Sequence, residues 1–523
     1  MALCRNADSK YRIFALYIIN FALLSQIIMK GIIPIILILA FLNFGCNKVQ
    51  EDISNVDYDA EFAIPIIKDG SISFVDLWQN NSPNQSLRIE PDGRLVFRYE
   101  SEQVSVTTLD ILGALEFPVI AALNDSITVL PFELPANITV EEAIISDGIL
   151  VFQFSAIDDD KAKITFELPQ ISSNGKPLTV TSSTLNGSTI PLNLSGFTFR
   201  PSNNELIIKY QAEDGAGNPI LLNNASIVAR PELSFVKGIW GREEFQLNPT
   251  IIPIDLYDER FLNGNIRFSE PTITANINSS FGVPIRSRID VLNAFTRSGV
   301  PLAVDATAID GIDINYPQLE QRGESKRTIL QLDYTNSNIV DVFDAQLTEL
   351  EYGLTAIANP DDNPILTSFI EDNSTFEAQV FVEVPVVGRT RNFVVTENFD
   401  TPFSDVDQIT EGEFKLITEN GLPLAATLQL YFIDDNNQLL DSLFQEIPSL
   451  VQAADINEAG QVTAVNETTT FIPITASQIQ NILKSTQLQV AADFQTARGG
   501  TIDVIIQSNQ SLNFRMGLKF KVN

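Results

Sequence analysis

The chain has 523 residues, 33 of them basic and 66 acidic, giving a net charge of −33, with no histidine and only two cysteines, Cys4 and Cys46. Without imidazole, His-dependent catalytic triads and His-containing zinc sites cannot be built, and an acidic surface repels phosphate backbones, so nucleic acid is not an expected partner. Hydrophobic residues make up 44%, including 34 Phe, which is enough apolar material for several cores and argues against disorder throughout.

The N-terminus reads as an address. Residues 13–28 and 31–46 are two apolar runs separated by Lys30, and the second opens at Met29-Lys30 and stops at Gly45-Cys46. A short basic start, an apolar middle and a small residue before the cut are the plan of a secretory signal. With a Cys just after the cut, the segment resembles the lipobox signal of bacterial lipoproteins. That resemblance implies that residues 1–46 are a signal peptide with translation starting at Met29. It also implies that Cys46 becomes the lipidated first residue and that the chain meets a membrane through its acyl group. The family usually has Leu three residues before the Cys; here that place is Asn43, with Leu42 one further back. The alternative is an uncleaved anchor, but Lys30 interrupts a single span of ~20 residues. The polar stretch after Cys46 reads as a tether.

From there on the dominant period is two, which places successive side chains on opposite faces of strands. Turns are expected at Pro91-Asp92-Gly93, Asp147-Gly148, Asn174-Gly175 and Asn420-Gly421. Strands are expected at Leu150–Ser155, around Val380, Val382 and Val384, at Thr427–Phe432 and at Thr501–Gln507, all rich in β-formers. Thr475 with Gln478 three residues later forms a capping-box pattern, and Ile479, Ile482 and Leu483 share a helical face, so one short helix is expected near 476–484. The C-terminus alternates most regularly: Leu512, Phe514, Met516, Leu518, Phe520 and Val522 are apolar, while Arg515, Lys519 and Lys521 fall between them and would discourage pairing at an open edge. The expected fold is all-β, a rod or cluster of tandem antiparallel sandwich-like domains at 47–135, 136–265, 266–400 and 401–523.

A Gly-x-Pro-Leu/Ile pattern recurs at Gly175, Gly217, Gly282, Gly299 and Gly421. A rough product of residue frequencies gives fewer than one such match. Gly suits a tight connection and Pro the first residue of a strand, so the pattern reads as hairpin punctuation, with a row of binding tips as the functional alternative. These blocks, the opening DYDAEFAIPIIKDGSISFVDLW (57–78), the centre ITANINSSFGVPIRSRIDVL (273–292), the stretch ENGLPLAATLQLYFIDDNNQLLDSLF (419–444) and the C-terminal strand resemble an uncharacterised family of Bacteroidota outer-membrane lipoproteins. The resemblance implies an envelope location and a β architecture. It implies no activity.

Candidate sites are few. Asp158-Asp159-Asp160, Asp361-Asp362-Asn363 and Asp434-Asp435-Asn436-Asn437 offer oxygens, but none has EF-hand spacing, and Asp and Asn dominate turns anyway. No metal or other cofactor is expected. A glycosidase needs only two carboxylates, and sequence nominates no pair. Of the two tryptophans, Trp78 and Trp240, the second lies between Gly238 and Gly241, which suggests an exposed ring for stacking on a sugar, or else a core plug. The leading reading is a non-catalytic, lipid-anchored envelope protein that binds a protein or glycan or acts as a scaffold. Its rivals are a carrier of lipid in a groove between sheets and a glycan-binding surface lipoprotein. A membrane-spanning barrel is disfavoured, because a lipidated Cys suits a tethered domain. Mass spectrometry of the mature N-terminus is expected to show an acylated Cys46, and Cys46→Ser is expected to release the protein from membranes.

Overall fold

A computed structural model describes residues 60–78, 85–112, 119–134, 137–155, 157, 159–183, 187–256, 264–401, 409–445 and 449–522. The expected signal, Met29 and Cys46 lie outside the described residues. Those within Ala63–Asp407 and Glu411–Phe520 form one compact unit; 60–62, 409–410 and 521–522 group separately. The fold is all-β, built of antiparallel sheets with a few short helices.

One sheet runs in the order Ala60–Ser73, Ser511–Val522, Ile409–Asn420, Asn466–Ile474. Leu512, Phe514, Met516 and Leu518 are all buried while Arg515 and Lys519 are exposed, as the alternation requires. The C-terminal strand is not an edge, however; it lies inside this sheet, and its hydrogen bonds go to neighbours on both sides. Ser71 Oγ donates to Asn513 Oδ1 at 2.9 Å. Gly70 lies under the Phe514 ring, where a Cβ would sit 2.5 Å from the nearest ring atom.

A larger sheet carries the long strands Thr139–Gln153 and Ser226–Ile239, paired along most of their length. The short strand Thr198–Phe199 pairs with Thr139–Gln153 and with Lys163–Ser173, so the sheet turns over on itself. Phe152 from one part and Phe166 from the other stack at 3.9 Å between centroids, and this apolar contact makes the region sandwich-like.

Strand pairing crosses the boundaries expected near 135 and 265. Thr367–Glu371 pairs with Ser226–Ile239, and Thr375–Pro385 pairs with Leu95–Glu100 and with Val104–Thr107. The Arg322 guanidinium lies 3.8 Å from the Phe235 ring centroid and binds Glu371 at 2.9 Å, which fixes the same join. Turn-rich stretches marked loops in the chain, but such loops need not separate domains, because partners are chosen by face and register across hundreds of residues.

The expected helix is present at Ala476–Ile482. Gln478 N–H donates to Thr475 Oγ1, Thr475 N–H donates to Gln478 Oε1, and Ile479 and Ile482 are buried. It is not alone. Phe74–Trp78, Thr108–Leu112 and Ile339–Asp344 are also helical. Two of these start with a Ser/Thr-x-x-Asp box: Asp76 N–H donates to Ser73 Oγ, and Asp110 N–H donates to Thr107 Oγ1 while Thr107 N–H donates to Asp110 Oδ2. One strand is expected at Thr501–Gln507, but only Val504–Ile505 is a strand, with an isolated bridge from Gln507 to Arg94.

The Gly-x-Pro repeat divides into two kinds. Gly175, Gly217 and Gly299 have positive φ with open space around them, as hairpin turns require. Asn174 at φ 52 and Gly175 at φ 75 form a two-residue loop joining Ser173 to its partner Lys176, the geometry of a primed turn. Gly282 instead lies directly beneath the Phe369 ring, and Gly421 approaches the Ser511 carbonyl. At Gly282 glycine is needed for closeness rather than for φ, whereas at Gly421 a Cβ would meet the Ser511 carbonyl at 3.3 Å, a tight contact only. Asp147-Gly148 is likewise no turn: Thr139–Gln153 runs through it, and Gly148 lets the Arg230 carbonyl come within 2.5 Å of where a Cβ would be. Gly282→Ala is expected to lower stability by about 1–3 kcal/mol, because buried Phe369 cannot swing aside. Urea unfolding checks this, and Phe369→Leu should cost less in the Gly282→Ala background than alone.

Candidate functional site

Trp240 is buried, with 3% of its surface exposed. Gly238 is not part of an open turn; it brings its strand against the backbone at Thr139. The indole lines an apolar cavity of about 30 Å³ with Val106, Phe245, Phe281 and Phe376, and Asn359 Nδ2 donates to the Trp240 carbonyl at 2.8 Å. Trp240 is therefore a core plug, not an exposed stacking platform. The side chain of Trp78 lies outside the described residues.

The acidic clusters lock turns. Asp159 accepts the N–H groups of Gly215 at 2.7 Å and Lys161 at 2.9 Å, and these bonds, Gly215 first, hold its carboxyl below the usual range. Asp434 accepts from Gln438 and Asn436 N–H, both at 2.8 Å, with the same effect on its pKa. Asp361 pairs with Arg286 at 3.0 Å. Asp158 lies outside the described residues. Asp159, Asp361 and Asp434 thus have partners of their own, as turn chemistry predicts.

A cleft of about 540 Å³ has a richer lining. Strand Asn265–Phe268 pairs with Val387–Arg391, and the register sets Arg267 directly opposite Arg389, so both side chains leave the same face. Arg267 is held by Asp344 at 2.6 Å and Asp341 at 3.4 Å, both from the helix Ile339–Asp344. Among the described residues Arg389 pairs with Asp503 alone, with Nε to Oδ1 at 3.8 Å, beyond hydrogen-bond reach. Tyr334, 62% exposed, stands at the cleft on a turn fixed by Asp333, whose Oδ1 accepts from the N–H and hydroxyl of Thr335. Ser269, Glu270, Ser337 and Asn338 complete the polar wall, and the Ser269 hydroxyl is shielded from solvent with no hydrogen-bond partner among the described residues. An exposed ring, guanidinium groups, carboxylates and hydroxyls around an open space suit the apolar face and the hydroxyls of a sugar. None of these residues stood out in the sequence, because each is ordinary alone and only the pairing register brings the two arginines together.

A second groove, about 550 Å³, lies on the face of the sheet formed by Lys163–Ser173 and Glu205–Glu213, with Lys209 opposite Glu167 and exposed Ile127 and Leu221 at its rim. It offers no exposed ring, since Tyr210 is buried. A second apolar cavity, of about 40 Å³, is lined by Phe74, Phe268, Phe393 and Val504 among others. Among the described residues no helix is long and apolar enough to cross a membrane.

No protein-family model matches the chain, and no curated protein matches it. Among solved structures it is similar to a protein of Parabacteroides distasonis described as secreted, at 9% identity over 89% of this chain and 100% of that one, with a TM-score of 0.30. It is also similar to the VP2 subviral particle of infectious bursal disease virus, at 7% identity over 86% of this chain and 84% of that one, with a TM-score of 0.14. Superpositions this loose carry no argument about function.

Asp493 is the one carboxyl among the described residues whose pKa is raised, and the cause is desolvation. It lies mid-sheet between Val394 and Thr427. With the folded pKa above the ordinary 3.8, ionisation destabilises the fold, so this contribution is intact below 3.8 and is lost as pH rises through the folded value. Asp493→Asn is therefore expected to raise the thermal midpoint at pH 7, with the gain shrinking to nothing in acid.

Proposed function

We propose that this chain is a non-catalytic cell-envelope lipoprotein, held at the outer membrane through acylated Cys46, that binds a saccharide in the cleft beside Tyr334. The observation that carries the reading is the cleft itself: about 540 Å³ of open space with an exposed aromatic ring next to opposed arginines. The lipobox-like signal and the resemblance to Bacteroidota outer-membrane lipoproteins support the location. The net charge of −33 supports a partner other than nucleic acid.

A lipid carrier fits less well. The two apolar cavities, about 40 and 30 Å³, have room for a few water molecules, far less than an acyl chain needs. Binding of a protein partner is the second reading, favoured by the other groove, whose Ile127 and Leu221 rim is apolar and exposed.

Titration of a saccharide panel against the mature protein tests the first reading. Tyr334→Ala is expected to weaken binding about three- to tenfold, the worth of one stacking ring. Trp240→Phe, a change in the core, is expected to leave affinity unchanged. Equal affinity of wild type and Tyr334→Ala for every bound saccharide would place binding elsewhere.

A further inference from the structure

The larger sheet ends in an open edge. Its outermost strand on one side, Ile127–Pro131, pairs only with Glu205–Glu213 among the described residues. Two bonds fix the phase of that pairing: Phe132 N–H donates to the Asn204 carbonyl and Tyr210 N–H to the Ser126 carbonyl, both at 2.9 Å. Bonded and non-bonded positions alternate along an antiparallel pair, so Thr128 and Leu130 turn their backbone groups toward the sheet. Ile127 and Val129 turn theirs outward, and no described residue takes them.

Natural sheets blunt such an edge with a lysine, an inward charge or a bulge. The strand ITVLP has none of these; its guards are its shortness and Pro131, which lacks an N–H at one end. The side chains of Ile127 and Val129 are 58% and 47% exposed. On a chain with a net charge of −33, the uncharged run from Ser126 to Phe132 is a place where two copies can touch without setting acid against acid.

The outward positions are symmetric about Thr128. With a second copy lying antiparallel, Thr128 opposite Thr128, Ile127 of each copy faces Val129 of the other at a bonded position. Each such pair exchanges both backbone N–H···O bonds and sets β-branched side chains side by side on the exposed face. A slip of one residue would oppose outward groups to inward ones and lose the bonds. Asp125, the acid that precedes the run, falls opposite Pro131 of the second copy and not opposite its own counterpart. We infer that Ile127–Pro131 is the contact of a two-fold dimer, in which a second copy of this chain adds its own Ile127–Pro131 as the next strand of the sheet. The contact is short, so the dimer is weak, and it forms against the net charge, so it strengthens as salt screens that charge. The dimer does not depend on the saccharide reading, whose cleft is lined by other strands.

Sedimentation velocity of the mature chain carrying Cys46→Ser, which has no thiol and no acyl group to drive aggregation, tests this. The dimer fraction is expected to rise with concentration and to be larger in about 0.5 M than in about 0.05 M salt. Val129→Pro removes an N–H that the monomer leaves unused, and is expected to weaken self-association about tenfold or more with a thermal midpoint close to wild type. Leu439→Ser, at a comparably exposed aliphatic side chain in another sheet, is expected to leave it unchanged. In the Cys46→Ser background, Thr128→Cys is expected to give a disulfide-linked dimer on mild oxidation, because opposed residues at a non-bonded position lie close enough to bridge. A monomer at every concentration and salt would overturn the inference. So would a dimer that Val129→Pro leaves intact and Thr128→Cys does not trap. Capture of a different protein by Thr128→Cys in envelope extracts, with no self-linked species, would give the edge to another occupant and overturn it as well.

Discussion

Strand Thr375–Pro385 holds together stretches of chain that are far apart in sequence. On one side it pairs with Leu95–Glu100 and Val104–Thr107, and on the other with Thr272–Ser279. Val380, Val382 and Val384 are buried along it, so register is fixed by the need to keep that face dry. A slip of one residue would turn all three valines outward. The neighbouring pairing of Thr367–Glu371 with Ser226–Ile239 depends on the same stretch of chain, and so does the seat of Phe369 on Gly282. The strand continues past Pro385 into Val387–Arg391, which carries Arg389 of the cleft and pairs with the strand that carries Arg267. The site is thus positioned by strand pairings that are distant in sequence.

Local rules were readable and non-local ones were not. The alternation of Leu512, Phe514, Met516 and Leu518 predicted a two-faced strand, and Thr475 with Gln478 predicted a capped helix; both depend on neighbours a few residues away. The short helices after Ser73 and Thr107 had their boxes in plain sight, with Asp in place of Glu or Gln, but strand propensity around them concealed the signal. That the C-terminal strand is an inner one could not be seen, because its partners at Ala60–Ser73 and Ile409–Asn420 are distant. Glycine was the most ambiguous letter. Gly175 and Gly282 occur in the same four-residue pattern, yet one bends a hairpin and the other admits an aromatic ring. Only the second residue's neighbour across the fold tells them apart.

The candidate site was harder still. Trp240 drew attention because tryptophan is scarce and flanking glycines suggested a turn, but Gly238 serves close approach of two strands, and the indole is enclosed. Tyr334, Arg267 and Arg389 gave no sign, since a tyrosine in a polar turn and arginines on strands are commonplace. What distinguishes them is an inequality: Arg267 is bound by two aspartates while its opposite number has one distant partner. Such an imbalance exists only in three dimensions.

The hydrogen bond between Ser71 and Asn513 spans 442 residues. During synthesis at roughly 5–20 residues per second, the earlier strand waits tens of seconds for its neighbour to be made. Throughout that delay it exposes unsatisfied backbone groups and apolar side chains such as Ile66 and Ile72, which are buried once the sheet closes. A nascent chain of this design keeps that strand unpaired until nearly the whole polypeptide has been made. The lag is set by the length of chain between the two strands and the rate of synthesis, so a change of loop composition at constant length leaves it as it is.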